Sequence, residues 1–516
     1  MPPRKKLPIG IQTFAIIRGE PYVYIDKTEF IWRLIDGGRY YFLSRPRRFG
    51  KSLLVDTLRC LFEGRRELFT GLWIADRWDW ETCYPVLKIS LGGGVLTDPA
   101  DLQRHLLHLL EDHERELGVH CTRRDQPRDY FRELLRLAAE HYGQSVVVLV
   151  DEYDKPILDS LTRPEAARAI REVLRDFYAV LKDSDEYLRF VFLTGVSKFS
   201  KVSLFSGLNH LRDITLNPRY SALCGYTQTD LEREFTGWLD GVDLDKMREW
   251  YNGYAWLGEA VYNPFDVLLF LDNGQQYRNW WFETGTPTFL VDLIRAKRYY
   301  LPDLETLEMD ERLLDSFEVD RIEVETLLFQ TGYLTVKGVR TVFDSPVFLL
   351  GWPNREVKTA LNGVLLTDAL LEGHLPKANF QQALLDGDRA AIEAGLRRLF
   401  AAIPYNNFTH SRLHEYEGYY ASVIYAWLAA LGAELIAEDV TNRGRIDLTL
   451  KIPGRVYLFE FKLIENQPAG APGALQQLQE RDYAAKYRGL GQPITLIGLE
   501  FSQASRNLER FDWDAG

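Results

Sequence analysis

Four short groups of residues in this chain have types and spacings suited to phosphate chemistry. Gly50-Lys51-Ser52 lies between an apolar run, Tyr40-Tyr41-Phe42-Leu43, and a helical pattern from Ser52 to Phe62. A glycine here lets backbone approach a phosphate. A lysine reaches the β and γ phosphates of a nucleotide, and a serine hydroxyl ligates magnesium. The helix start adds its positive dipole end. The cradle would run through Arg48, Phe49, Gly50, Lys51, Ser52 and Leu53. The usual first glycine of such a loop falls at position 45, which is Arg45. Further on, Val146 to Val150 is an unbroken apolar run that ends in Asp151-Glu152. Asp151 would hold Mg²⁺ through water, and Glu152 would orient or deprotonate an attacking water. Alone, a GKS arises by chance, and an acidic strand end commonly caps the next helix. Together, in this order, they predict nucleotide binding.

A further run, Arg189 to Thr194, leads into Gly195-Val196-Ser197-Lys198. Thr194 fits the place of a γ-phosphate sensor, with Ser197 and Lys198 as helpers; a polar strand end explains it equally well. Near the C-terminal end, Gly444-Arg445-Ile446-Asp447 precedes Val456-Tyr457-Leu458-Phe459-Glu460-Phe461-Lys462. Side chains alternate along a strand, so Glu460 and Lys462 share one face, and Asp447 on the neighbouring strand can meet Glu460. Two carboxylates can bind Mg²⁺, while Lys462 positions water and stabilises charge on phosphate. This is the PD-(D/E)XK arrangement. Glu417, on the preceding helix, is placed to add a metal ligand or orient the site. Gln477 and Tyr483 read as supporting or DNA-contacting residues, or as a surface amide and a packed aromatic.

The elements around these groups follow from periodicity. Up to about residue 225, strand-like runs (Tyr40–Leu43, Pro85–Leu91, Val146–Val150, Arg189–Thr194) alternate with helical patterns, which indicates an α/β parallel sheet. Residues 226–375 read as mainly helical, with a winged-helix-like helix–hairpin–helix order between 321 and 360. Residues 376–516 are helical to Leu431, then β-rich, with a helix over Leu475–Tyr487 and a strand over Ile494–Leu499. The expected domains are therefore 1–225, 226–375 and 376–516.

The 516 residues exceed what one core organises, which supports several domains. The net charge of −12 argues against a surface that coats nucleic acid, without excluding a local basic groove. No run approaches the roughly 18–20 apolar residues of a membrane span, and the basic N-terminal residues lack a secretory apolar core. The chain reads as a cytoplasmic protein without a membrane partner. Cys60, Cys83, Cys121 and Cys224 have no metal or disulfide spacing and read as reduced thiols. His105, His108, His113 and His120 read as solvated or partly buried rather than metal-binding, and Gly92-Gly93-Gly94 as a flexible connection.

Five blocks in order (Tyr24-Ile25-Asp26-Lys27-Thr28-Glu29-Phe30-Ile31, Ser44 to Leu53, Val150-Asp151-Glu152-Tyr153-Asp154-Lys155-Pro156, Thr194 to Lys198, and Ser206-Gly207-Leu208-Asn209) closely resemble the bacterial and archaeal AAA-ATPase-like proteins. Tyr251-Asn252-Gly253-Tyr254, Tyr262-Asn263-Pro264-Phe265 and Trp281 to Pro287 resemble later blocks of that family. The resemblance implies an AAA-like P-loop core that binds ATP, with Arg45 as normal usage. It also implies a restriction-endonuclease-like α/β domain at the C-terminal end. The combined expectation is an ATPase with an ATP-controlled, Mg²⁺-dependent (or Mn²⁺-dependent) nuclease acting on DNA. Two other classes stand beside it: a nucleotide-operated switch or adaptor that does not cleave, and a ring-forming ATPase that remodels protein. A homo-oligomer is left open: no arginine finger can be assigned, and Arg212 and Arg219 read first as surface or interdomain residues, although a neighbouring subunit could use one of them.

Overall fold

The computed structural model describes residues 4–94, 96–198, 210–281, 288–297, 299–311, 314, 322–370, 377–403, 417–467 and 470–516. Ser206 to Asn209 and Phe282 to Pro287 lie outside these. The chain forms two compact units, 1–285 with 308–354, and 286–307 with 355–516.

In the first unit, helix α1 (Thr28–Gly37) precedes β1 (Tyr40–Ser44), and α2 (Lys51–Phe62) follows it. Next come β2 (Val86–Ser90), α3 (Pro99–Leu117), α4 (Pro127–Tyr142), β3 (Val146–Asp151), α5 (Pro164–Asp183), β4 (Leu188–Gly195) and the short β5 (Arg212–Asp213). The five strands form one parallel sheet in the order β2-β3-β4-β1-β5. Every residue of β3 is buried, as its valine-rich run requires of a central parallel strand. Asp98 caps α3 by accepting from the backbone N–H of Ala100 and Asp101, and Gly118 ends the helix in the left-handed conformation. All parallel strands point the same way, so the loops after β1, β3 and β4 open at one end of the sheet.

A second core of this unit joins Val23 and Ile25 to Leu231, Phe235, Met247, Tyr251, Tyr262 and Phe270. Residues on both sides of position 225 thus share one apolar cluster. A small sheet, β6 (Leu307–Asp310), β7 (Thr335–Val342) and β8 (Ser345–Gly351) in the order β6-β8-β7, accompanies α6 (Val324–Thr331). Helix, hairpin and the following α7 (Arg355–Leu370) occur in the expected order, with the boundary between units falling just before α7.

The second unit holds α8 (Glu417–Ala430), β9 (Glu434–Thr441), β10 (Gly444–Ile452), β11 (Arg455–Leu463), α9 (Ala474–Glu480), β12 (Ile494–Ser502) and β13 (Asn507–Ala515). The sheet order is β13-β12-β11-β10-β9; only β11 and β12 pair in parallel. Helix α8 is apolar nearly all round, and Tyr420 to Ala430 are buried. The segment before residue 307 packs with this unit. Leu301 N–H donates to Ser422 Oγ at 3.3 Å, and Glu305 accepts from the Tyr425 hydroxyl at 2.6 Å. The helix expected over 475–487 is interrupted. It stops at Glu480, Asp482 turns left-handed at φ 47°, and a single 3₁₀ turn follows over Tyr483–Lys486. Arg488 at 2.6 Å and Arg443 at 3.5 Å hold the Asp482 carboxylate at that corner.

Cys60, Cys121 and Cys224 are buried, Cys83 is exposed, and all four are free thiols. Among the described residues no helix is long and apolar enough to cross a membrane.

Candidate functional site

The phosphate loop leaves β1 at Ser44 and returns at Gly50, which opens α2 with φ 87°. Arg45 is fully buried. Its guanidinium donates to the carbonyls of Ser44 (2.8 Å), Thr215 (3.0 Å) and Tyr220 (3.2 Å), and stacks 3.9 Å from the Trp256 ring centre. A large cation thus takes over a turn that glycine usually makes. Phe49 is buried edge-on against Tyr254 at 4.7 Å and Trp256 at 5.5 Å, so only its backbone is left for a ligand. The Arg48 guanidinium lies 4.7 Å over the Phe265 ring. Lys51 folds back, its Nζ 2.9 Å from both the Arg45 and Pro46 carbonyls. Burial pulls its pKa down, against the opposing fields of Asp151 and Asp154. Ser52 and Leu53 are half-buried in the first turn of α2.

Asp151 ends β3 almost fully buried, and its Oδ1 has no hydrogen-bond partner. An orphaned buried carboxylate oxygen beside a P-loop fits a divalent cation, which Ser52 and Asp151 would hold. Glu152 has a left-handed backbone at φ 54°; burial, then the Asp151 charge, raises its pKa. The glycine run read as flexible has a steric reason: a Cβ on Gly92 would lie 2.4 Å from Glu152 Oε2. Thr194 is fully buried and donates to the Leu43 carbonyl at 2.9 Å, so its hydroxyl ties β4 to β1. Lys198 pairs with Asp213 at 2.5 Å.

Sequence reasoning passed over Asp154. This buried carboxylate accepts from Ser197 N–H and Oγ, each at 2.6 Å, and from Val196 N–H at 3.0 Å. A Cβ on Gly195 would lie 2.3 Å from it. The acid of one block and the Gly-Val-Ser of another form a single clamp. Their shared polarity was the only available signal. Asp26 likewise accepts from Thr28 N–H (2.9 Å) and Trp73 N–H (2.7 Å), which holds the start of α1.

In the second unit the β10–β11 ladder pairs Leu448 with Phe459, and one step further brings Asp447 opposite Glu460. Asp447 Oδ2 accepts from Phe461 N–H at 2.7 Å, and Glu417, at the start of α8, accepts from Leu463 N–H at 3.0 Å. Both acids are therefore fastened to β11, one on each side of Lys462 in sequence. Lys462 Nζ donates to the Pro472 carbonyl at 3.0 Å. Glu460 is buried; Gln477 Nε2 donates to its Oε1, while its Oε2 is buried without a partner. Burial raises the pKa of both acids; repulsion from Glu417 and Glu438 adds to it at Asp447, and repulsion from Asp447 and Glu417 at Glu460. The orphan Oε2 suits a divalent cation held by Asp447 and Glu460. Among the described residues, however, no three His, Cys, Asp or Glu side chains are grouped to hold a metal ion, so Glu417 does not complete a preformed cluster.

Gln477 reaches Glu460 because α9 seats directly on β12. A Cβ on Gly498 would lie 2.3 Å from the Leu475 nitrogen. Tyr483 is buried with Ile446, Leu478 and Tyr487, its hydroxyl over Gly444. Glu500 was not anticipated. It pairs in register with Lys462, is buried, and accepts Ala474 N–H at 3.0 Å at the start of α9. Its signal was present in the alternation of β12, where an acid stands amid apolar residues.

A parallel sheet with a phosphate loop after its β1 strand and acids at the end of its β3 strand defines an AAA-ATPase-like unit, and a mixed sheet carrying Asp447, Glu460 and Lys462 defines a PD-(D/E)XK nuclease-like one. The family model for predicted AAA-ATPase matches residues 8–205, and that for the PD-(D/E)XK nuclease superfamily matches residues 415–511. The chain is 53% identical over 515 residues, 98% of each chain, to an uncharacterized protein in the vnfD 5′ region of Azotobacter chroococcum mcd 1. The chain belongs to the AAA-ATPase-like family, in the form that carries a PD-(D/E)XK nuclease-superfamily domain at its C-terminal end.

Proposed function

We propose that this protein is an ATP-controlled, Mg²⁺-dependent DNA nuclease. The observation that carries the reading is the buried, partnerless Oε2 of Glu460, a residue opposite Asp447 in the ladder and held through its other oxygen by Gln477. An unpaired carboxylate oxygen is expensive to bury and is retained where a ligand satisfies it. Asp447 and Glu460 would hold Mg²⁺ (or Mn²⁺), which supplies a Lewis acid for the scissile phosphate. Lys462, released from the Pro472 carbonyl, would orient the attacking water and meet the charge that develops on phosphate. Gln477 keeps Glu460 aimed at the site.

In the first unit the backbone of Arg48 to Leu53 would cradle the phosphates of ATP. Lys51 would exchange the carbonyls of Arg45 and Pro46 for the β and γ phosphates. Glu152 would accept the proton of the attacking water, a role its raised pKa favours. Control by ATP rests on a physical link. The chain crosses between the two units after residues 285, 307 and 354, and control would pass along these connections. We retain 1–225, 226–375 and 376–516 as the functional division, with the middle region as transmitter.

The test is cleavage of plasmid and single-stranded DNA with Mg²⁺ or Mn²⁺, with and without ATP. Cleavage is expected from the native protein, lost in Lys462→Ala, and insensitive to ATP in Lys51→Ala. ATP binding without cleavage by native protein under every metal would transfer the reading to a nucleotide-operated switch.

A further inference from the structure

An open cleft of about 600 Å³ lies at the opposite end of the parallel sheet from the phosphate loop. Its walls come from residues at the amino ends of the strands: Arg39 precedes β1, Tyr84 precedes β2, and Arg189 opens β4. Arg77 completes a set of three guanidiniums. Arg39 and Arg189 form no ion pair among the described residues. Arg189 lies 5.7 Å over the Tyr84 ring, and Arg77 lies 4.2 Å over the Trp73 ring, its Nη1 donating to the Trp73 carbonyl.

Three aromatic side chains, Trp32, Trp78 and Tyr84, line the same cleft. Trp78 Nε1 is a buried donor without a partner. Two carboxylates also line it. Asp79 is occupied by Glu81 N–H at 3.1 Å and the Thr82 hydroxyl at 2.7 Å, whereas Asp36 is exposed and unpaired. Unpaired guanidiniums select an anion, flat aromatic faces select a planar ring, and a free carboxylate accepts from hydroxyls. The volume falls within the usual range for small-molecule sites, roughly 300–1,000 Å³.

The geometry points to a second ligand site here for a nucleoside monophosphate, its phosphate on Arg39 and Arg189, its base against Trp32 and Trp78, and its ribose on Asp36. The site shares no residue with the phosphate loop, so it stands whether or not that loop binds ATP.

The experiment is calorimetric titration of the full-length protein with AMP, which lacks the β and γ phosphates that Lys51 would reach. Saturable binding is expected in native protein and in Lys51→Ala alike. Arg39→Ala and Arg189→Ala should each weaken it roughly tenfold or more, and adenosine and inorganic phosphate should each bind more weakly than AMP. Unchanged thermal unfolding of the arginine variants would show that they fold. Three results overturn the proposal: no binding at millimolar AMP, binding lost in Lys51→Ala but kept in the arginine variants, or inorganic phosphate binding as well as AMP.

Discussion

Gln477 donates its side-chain amide to one oxygen of Glu460 and leaves the other buried with no partner. One residue fixes the direction of the carboxylate while its second oxygen remains available. The site is arranged by what it satisfies as much as by what it leaves open.

That arrangement sets a pH dependence. Burial, helped by the charges of neighbouring carboxylates, raises both Asp447 and Glu460. A raised carboxyl contributes stability while protonated; that contribution is full below its unfolded value, roughly pH 4, and fades as pH climbs through the raised folded value. In EDTA, the urea midpoint should therefore decline from mildly acidic to alkaline pH, and Glu460→Gln should flatten the decline. Mg²⁺ affinity should rise over the same window, because metal must displace the retained proton. A midpoint that climbs with pH in EDTA would contradict the burial argument.

Restoring glycine at position 45 should harm the protein. Arg45→Gly removes three hydrogen bonds and a stacked guanidinium, and leaves the Ser44, Thr215 and Tyr220 carbonyls without their donor. The expected loss is about 2–4 kcal/mol in chemical denaturation, with weaker ATP binding. An unchanged midpoint would mean the loop holds itself without this residue.

Gly498→Ala tests the seat of α9. The added methyl would meet backbone at 2.3 Å, and backbone cannot turn aside as a side chain can. The helix must shift, costing about 1–3 kcal/mol, and Gln477 should move off Glu460. DNA cleavage should fall by more than the loss of folded protein explains, which specific activity per folded molecule would reveal.

Gly92→Ala makes the opposite case in the first unit. Its methyl would collide with the end of the Glu152 side chain and make ordinary contact with Ser90 Oγ at 3.6 Å. Stability should change little, within roughly 0.5 kcal/mol, while ATP turnover falls because the carboxylate is pushed aside. Equal losses of turnover and stability would show that the strand end itself had moved.

Much of this molecule could be read along the chain. The four strand-like runs of the first unit became β1 to β4; a central parallel strand such as β3 must be apolar on both faces, and that demand is written in consecutive residues, whereas the two-residue edge strand β5 left no such run. Glu460 and Lys462 share a face by alternation alone. The edge strand β13 escaped notice because its charged residues, among them Glu509, Arg510, Asp512 and Asp514, mask the pattern. The break at Asp482 escaped because only distant Arg443 and the later Arg488 hold that residue left-handed.

The sequence by itself determined the two chemical groups, their order and the sheets that bear them, since spacing and periodicity are local properties. Only the tertiary structure decided that Arg45 occupies the loop as a packed cation, that Thr194 spends its hydroxyl on Leu43, that Gln477 aims Glu460, and that residues 299–305 belong with the C-terminal unit. Each depends on partners far apart in the chain, and a hydrogen bond or a steric contact between such partners exists only after folding has brought them together.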